Sequence, residues 1–593
     1  MFIIRKYIKY IFIYILCFIF SNNICFNIIS IIKNNIELSW DFNIIKSLFN
    51  LTDYGLLFGT ILLSIIFILF VIKYDKELKL KIKRIKKIPK EDGSYEYGSS
   101  RWATKSEIRK NYKTWNKNST LKSGGIPVTY MDNKFYYTDS FEHTLIIGST
   151  GSGKTASCIL PLIFNLGCAG ESMVINDTKG ELYSYTSNYL KSKGYEIKII
   201  NLRDALASDG WNPLHLPYKY YKNNNIDLAG DLIENFSKSL TKNLSSKDMY
   251  WEKSANAVLT ALCYALIEDA PSESQVNLYS IYNLLVEHGA KYIDRINSLD
   301  LYFQQKPMGS LSKMSYATGS FAKGETRGTL FSVLATIIKM FSDTGIANLT
   351  SRTDFELENI GKKKTAVFLI IPDEKESRHE LASIFIDQCY QALVNTAVSM
   401  KDGKMPIRVN FILDEFANMP PIDSISNKIT VSRSRNIRYY LVIQDFDQLE
   451  EKYKEQTGTI KSNTNWIYLL TSDNDSAKEI STRLGKYTIA SSRVSTSTRL
   501  EQLDYNLSND KSLIGRDLMM PDELMRFKLG EGIYIPSRLY PVKSRFVTID
   551  KYGFKIKMSK VPNKTKSYVI NCFNLDEFRK TKMNNNDNKL ELE

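Results

Sequence analysis

The sequence predicts an α/β fold with a mainly parallel sheet, interrupted by an all-α insertion and preceded by a two-helix membrane hairpin. Three observations carry this expectation. Short apolar runs alternate with helical patterns on both sides of a long helical middle section. One of those runs leads directly into a glycine-rich loop, and the amino-terminal end holds two long apolar stretches.

The amino-terminal end comes first. Tyr54 to Ile72, YGLLFGTILLSIIFILFVI, is nineteen residues without a charge, long enough to cross hydrocarbon as a helix. Tyr10 to Phe20 is wholly apolar or aromatic, until Ser21, Asn22 and Asn23 interrupt it. Its basic start also fits a cleaved signal peptide, but a small-x-small cleavage site is missing, which favours a retained span. Arg5, Lys6 and Lys9 precede the first stretch, and Lys73, Lys76, Lys79, Lys81, Lys83, Arg84, Lys86, Lys87 and Lys90 follow the second. The intervening loop is nearly neutral, so the positive-inside rule puts both termini in the cytoplasm and the loop outside. The basic run suits anionic headgroups as well. Residues 1–75 are thus expected to form the anchor and 76–100 a basic juxtamembrane linker. The expected location is the cell membrane, multi-pass, with the bulk of the chain in the cytoplasm.

The cytoplasmic body opens its core with HTLIIGSTGSGKT, His143 to Thr155. Gly148, Ser149, Thr150, Gly151, Ser152, Gly153, Lys154 and Thr155 fit the phosphate-binding pattern G-x-x-x-x-G-K-[ST], with an apolar strand before it and a helical stretch, Ala156 to Leu166, after it. Small residues let backbone N–H groups close around phosphates, and the helix N-terminus adds positive potential. Lys154 is expected to reach the β- and γ-phosphates and the Thr155 hydroxyl to bind Mg²⁺. Pro161 should kink the helix. A strand at Ser172–Asn176, a helix at Tyr183–Gly194 and a strand at Tyr195–Asn201 complete a βαβαβ unit within an expected nucleotide-binding part at 101–215.

From 216 to 338 the pattern is helical and gives the all-α insertion, with Tyr250 to Ile267 as its clearest amphipathic stretch. Strands resume at Thr365–Ile371 and Arg408–Leu413, so 339–560 is expected to be the second nucleotide-binding part. The latter strand runs into Asp414-Glu415. An apolar strand ending in Asp-Glu supplies what a nucleotide-hydrolysing site needs: Asp414 to hold Mg²⁺ and Glu415 to polarise the attacking water. Arg433 and Arg435 precede the strand Tyr439–Ile443. They are candidates for an arginine finger or for phosphate contacts on nucleic acid. Gln444, at that strand's tip, can sense the γ-phosphate. The tail 561–593 reads as polar and partly disordered.

Composition bounds the partners. With 79 Lys and Arg against 64 Asp and Glu, the net charge is +15, which suits an anionic partner or membrane surface and equally follows from a Lys-rich composition. Seven cysteines stand far apart at 17, 25, 158, 168, 263, 389 and 572, without a C-x-x-C or a nearby histidine at zinc spacing, and read as reduced, buried residues. A GTPase switch would need an N-K-x-D base reader, whereas Asn427-Lys428 is followed by Ile429-Thr430.

Several segments together resemble the VirD4/TraG-type coupling proteins of type IV secretion and conjugation. They are GSSRWATKSEI (98–108), GSTGSGKT, NDTKGELYSYTSNYLKSKGYEIKIINL (176–202), WNPL, YWEKSANAVLTAL, ILDEFANMP and SRSRNIRYYLVIQDFDQLEEKY (432–453), with LIGRDLMMPDEL (513–524) extending the match. Thr178 departs from a family proline, and NMPP replaces a Gly-containing continuation. The resemblance implies a RecA-like P-loop NTPase domain that assembles as a homo-hexamer around DNA and uses ATP with Mg²⁺. It implies partners too: single-stranded DNA in transfer, a relaxase with its relaxosome proteins, and the components of the secretion channel. The all-α insertion would recognise the transfer substrate. On matching positions Lys154 and Thr155 take the phosphate-loop roles, Asp414 and Glu415 the Walker B roles, Arg433 the arginine finger and Gln444 the γ-phosphate sensor. The function implied is a membrane-anchored ATPase that couples hydrolysis to DNA transfer. The alternative left open is a receptor for export of protein effectors, with DNA binding incidental.

Overall fold

The computed structural model describes residues 95–242, 249–319, 325–372, 378–497, 506–563, 565 and 568–590, with short helical stretches nearer the amino terminus, chiefly Asn22–Ile32. The chain forms two units, one of Met1–Tyr97 with Thr488–Gly515 and one of Gly98–Tyr487 with Arg516–Glu593.

In the first unit the apolar helix Asn22–Ile32 buries Asn23 and Asn27, the Asn27 amide donating to the Asn23 carbonyl at 2.9 Å. Among the described residues no single helix is long and apolar enough to cross a membrane. The expected spans at Tyr10–Phe20 and Tyr54–Ile72 lie almost wholly outside the described residues.

The second unit carries the main, nine-stranded sheet. Strands β1 (Lys113–Trp115), β2 (Ile126–Met131) and β3 (Lys134–Thr138) form a small sheet in the order β1-β3-β2. The main strands are β4 (His143–Ile147), β5 (Ser172–Asn176), β6 (Glu196–Asn201), β9 (Thr365–Ile370), β10 (Val409–Leu413), β11 (Ile437–Ile443), β12 (Thr464–Tyr468), β15 (Glu531–Ile535) and β16 (Val542–Arg545). A short hairpin, β7 (Tyr292–Ile293) with β8 (Ile296–Asn297), lies in the helical region; β13 (Lys486–Ser497), which pairs with β14 (Asn506–Asp517), falls with it mostly in the first unit. The main sheet has nine strands in the order β16-β15-β12-β4-β11-β10-β5-β9-β6. It is parallel from β12 through β6, and β15 turns antiparallel to β12.

Both faces of the sheet are covered, which is why β4, β5, β9, β10 and β11 read as continuous apolar runs. Alternate residues enter two different cores. Leu145, Ile147, Val174, Leu413 and Leu441 pack with the helical region and the His379–Ser399 helix. Ile146, Ile175, Ile412 and Val442 pack under the helices Leu160–Ala169 and Glu181–Ser192. A buried ionic cluster ties the amino ends of the central strands. Arg438, 1% exposed, meets Glu171 at 3.0 Å and donates to Asn410, Ser140 and Gly124, while Arg408 meets the other Glu171 oxygen at 3.3 Å.

The structure differs from the sequence reading at four places. After the phosphate loop the chain makes a π-helical turn, Thr155–Ile159, before the α-helix Leu160–Ala169, where Pro161 sits in the first turn. The missing proline N–H therefore falls in the first turn of the α-helix, which starts at Leu160 at the junction with the π-turn. The Met249–Asp269 helix is not amphipathic in its second half, since every residue from Leu259 to Ile267 is buried; it is the central post of the helical region. The tail, expected to be partly disordered, carries the helix Leu575–Leu590. Phe573 and Leu575 are buried in the main core, and Arg579 donates to the Ser298 carbonyl at 3.0 Å. Two apolar anchors and an ion pair of Lys291 with Asp576 dock a segment whose own composition is polar. The β7–β8 hairpin interrupts the helical region through Asp294 and Arg295, both at positive φ (48° and 69°), the backbone that a tight two-residue turn needs.

The described cysteines, Cys25, Cys158, Cys168, Cys263, Cys389 and Cys572, are free. Burial pushes the Cys158 and Cys263 thiols up to about 12.

Candidate nucleotide-binding site

The phosphate loop is hung between the two strands that flank β4. The Gly148 N–H donates to the Ile443 carbonyl at the end of β11 (3.2 Å), and the Ser149 N–H donates to the Leu470 carbonyl just beyond β12 (2.6 Å). Gly151 and Gly153 turn the loop at φ of 80° and 88°, a region that side chains disfavour. A Cβ at Gly148 would come within 2.6 Å of the Ser152 hydroxyl. The N–H groups of Gly151 and Gly153 have no hydrogen-bond partner among the described residues, and the buried Ser152 hydroxyl has none either. A concavity of unpaired donors with a helix start behind it fits an anion. Lys154 folds back over this cradle, its ammonium donating to the carbonyls of Gly148 and, at 3.2 Å, Ser149. Burial lowers the Lys154 pKa, while Asp414, Glu415 and Asp445 act in the opposite sense. Thr155, half-buried, opens the π-turn beside it.

The carboxylates come from the next strands. Asp414 stands at the tip of β10, where burial and the neighbouring Glu415 push its carboxyl up to about 7 against the pull of Lys154. Asn176, at the tip of β5, holds that turn by donating to the Asp414 carbonyl at 2.6 Å; its own buried Oδ1 has no partner. Asp177 follows it, almost fully buried, and burial pushes it up to about 6 although it accepts the Tyr183 N–H at 2.8 Å. Glu415 has φ of 52°, an outlier for a residue with a side chain. Such strain costs about 1–3 kcal/mol and persists where the surroundings impose it. The Glu415 N–H donates to Asp414 Oδ1 at 3.1 Å, and Asn418 holds the Glu415 carboxylate at 2.8 Å.

Of the residues singled out from sequence, the fold brings together Gly148–Thr155, Asp414, Glu415 and Gln444. They lie at the carboxyl ends of β4, β10 and β11, which are adjacent and parallel. Arg433 is not among them. It is exposed in a single 3₁₀ turn, Arg433–Arg435, that precedes β11, so it stands at the opposite edge of the sheet from its own phosphate loop. Arg435 beside it is engaged internally, donating to the Gly403 carbonyl at 3.2 Å. Sequence reasoning gave no role to Asn176, Asp177 or Asp445. Asp177 lies in the quoted DTKGEL segment and Asp445 directly follows Gln444, but their proximity to Lys154 and Asp414 depends on strand order, which neither segment encodes alone.

Residues 101–567 match the family described as Type IV secretory system Conjugative DNA transfer. The conjugal transfer protein TraG of Escherichia coli is 24% identical over 474 residues, covering 73% of this chain and 71% of TraG. The protein VirD4 of Rhizobium radiobacter is 23% identical over 419 residues, covering 68% of this chain and 56% of VirD4. Among solved structures, the plasmid coupling protein TrwB in complex with the non-hydrolysable ATP analogue ADPNP superposes with a TM-score of 0.52 at 14% identity, covering 81% of this chain and all of that one. TrwB in complex with ADP and Mg²⁺ gives 0.51 at 14% identity, covering 79% and 95%. With the matched region running from the β1 side of the sheet to the docked tail, this chain belongs to the type IV secretory system conjugative DNA transfer family, the coupling proteins of conjugation.

Proposed function

We propose that this protein is an ATPase, anchored in the cell membrane by its amino-terminal end with the motor in the cytoplasm. In this reading it recruits a relaxase–DNA complex with its relaxosome proteins and couples ATP hydrolysis to passage of single-stranded DNA through the type IV secretion channel. It works as a homo-hexamer. The observation that carries the reading is the convergence of a lysine-bearing phosphate cradle with Asp414, Glu415 and Gln444 at three adjacent strand ends. The analogue and ADP–Mg²⁺ complexes of TrwB support ATP and Mg²⁺ as ligands for this chain.

In this reading Gly148 to Gly153 offer backbone N–H groups to the phosphates and Lys154 leaves its loop carbonyls to meet the β- and γ-oxygens. The Thr155 hydroxyl and the Asp414 carboxylate would hold Mg²⁺, which when bound supplies positive charge to the phosphate oxygens. Glu415, held by Asn418, accepts a proton from water, and Gln444 orients that water. Arg433 reaches the phosphate loop of a neighbouring copy.

The test is ATP turnover by the full-length protein with and without single-stranded DNA, next to DNA transfer in cells. DNA-stimulated turnover that Lys154→Ala abolishes supports the reading. Turnover indifferent to DNA, with protein export intact, would favour effector export instead. Reporters active only outside the membrane, fused at Asn35 and at Glu593, test the anchor: activity at Glu593 would overturn it.

A further inference from the structure

The residues assigned above to hydrolysis beside the loop, Asp414, Glu415 and Gln444, stand on one flank of it. The strand order is β15-β12-β4-β11-β10, so Gln444, Asp414 and Glu415 lie on the β11–β10 side. On the other side β12 ends at Tyr468, and because β15 is antiparallel, with Tyr468 opposite Ile533, the turn leading into β15 sits at the same carboxyl edge as the phosphate loop.

That turn, residues 525–530, is held from several directions. Phe527 is buried with its ring 5.7 Å from that of Tyr468. The carbonyl of Gly530, whose φ is 85°, accepts the Phe546 N–H at 2.7 Å. The Glu531 N–H donates to the Lys528 carbonyl at 2.9 Å, and the Glu531 carboxylate accepts the Lys528 N–H at 3.0 Å. Between the buried Phe527 and the pinned Gly530 stands Leu529, 79% exposed. Its Cδ1 lies 3.0 Å from the point a Cβ on Gly153 would occupy. Single exposed leucines are common and exposure alone assigns nothing. Leu529 is set apart by its place, fixed against the phosphate loop on the flank away from the carboxylates.

The orientation of a bound nucleotide follows from charge and strand order. The γ-phosphate belongs beside Asp414, Glu415 and Gln444, so the α-phosphate, which carries sugar and base, points toward the β12–β15 flank. We infer that Leu529 is the apolar wall of a nucleoside subsite, contacting the sugar or base of the nucleoside triphosphate whose phosphates the Gly148–Thr155 loop holds. This rests on the phosphate-loop reading above and extends it to what distinguishes a nucleotide from a bare polyphosphate. The contact is apolar, so it adds affinity without reading the edge of the base.

The experiment compares full-length wild type, Leu529→Ala and Leu529→Met, measuring KM and kcat for ATP and the inhibition constant of inorganic tripolyphosphate. Because the side chain is exposed, neither substitution removes core packing. Leu529→Ala should raise KM for ATP about tenfold, the scale of losing a covered leucine, with kcat and tripolyphosphate inhibition unchanged. Leu529→Met, similar in volume and apolarity, should stay within about twofold of wild type. An unchanged KM in Leu529→Ala overturns the inference. So does equal weakening of ATP and tripolyphosphate, which would mean that Leu529 shapes the loop instead of touching the nucleoside. The phosphate-loop reading itself fails separately, if Lys154→Ala turns over ATP at the wild-type rate.

Discussion

Arg433 and Gln444 stand at opposite ends of one strand. β11 spans seven residues between them, about 23 Å of extended chain at roughly 3.3 Å per residue. Gln444 is beside its own phosphate loop, through the Gly148–Ile443 hydrogen bond, and Arg433 is at the far edge of the sheet. An arginine so placed can serve a phosphate loop only in another copy of the chain. Arg433→Ala should bind ATP normally yet turn it over about 10³-fold or more slowly, the scale of an arginine finger. Mixing it with Lys154→Ala should recover turnover, because some interfaces then pair an intact loop with an intact finger. Turnover read against mixing ratio checks this, and a mixture no more active than its parts counts against it.

Glu415 and Lys154 should fail differently. Glu415→Gln keeps the shape and the Asn418 contact but cannot take a proton, so ATP should bind while turnover falls about 10²–10⁴-fold. Lys154→Ala should lose roughly 3–4 kcal/mol of phosphate stabilisation and with it both binding and turnover. Equilibrium nucleotide binding beside turnover separates the two.

His143 gives the chain an acid limit. It is buried at the start of β4, with Nδ1 accepting the Tyr439 N–H at 2.9 Å and Nε2 facing the Ile429 carbonyl at 2.8 Å. Burial, with Arg438 and Arg433 nearby, lowers its pKa from 6.5 to about 4. Between these values the unfolded chain binds a proton at this position and the folded chain does not. Stability from this group is therefore whole above about pH 6.5 and falls by about 1.4 kcal/mol per unit as the pH drops toward 4. Asp414 and Asp177, held above the usual carboxylate range, act in the opposite sense over the same window. The His143 slope is therefore read as the difference between urea unfolding of the wild type and of His143→Gln from pH 7 to pH 4.

Arg438 should be the costliest arginine to remove. It is 1% exposed and bonded to Glu171, Asn410, Ser140 and Gly124. Arg438→Ala leaves the Glu171 carboxylate with one fewer cation in the core and should destabilise the fold by about 3–5 kcal/mol. Arg433→Ala, on an exposed turn, should stay within about 0.5 kcal/mol. Denaturant midpoints compare the two directly.

The basic charge gives a fifth measurement. If Lys and Arg side chains grip DNA phosphates, affinity for single-stranded DNA should fall with salt, with a log–log slope of about −0.7 for each phosphate neutralised. A flat response would assign the +15 charge to composition alone.

By itself the sequence determined the phosphate loop, the Asp414-Glu415 pair and the strands read at Ser172–Asn176 and at Arg408–Leu413 (observed as Val409–Leu413), because each is a local pattern: a glycine spacing, or an apolar run buried on both faces. It missed β1 to β3, β12, β15 and β16, whose residues mix polar and apolar side chains and so present no continuous apolar run. It misread the tail, where Phe573 and Leu575 find a core far away in sequence. The placement of the site belongs to the tertiary structure. Only the order β12-β4-β11-β10-β5 brings Leu529, Lys154, Gln444, Asp414 and Asp177 to one edge of the sheet and sends Arg433 to the other. Strand order is set by which faces bury against which helices, and that is a property of the whole core rather than of any segment.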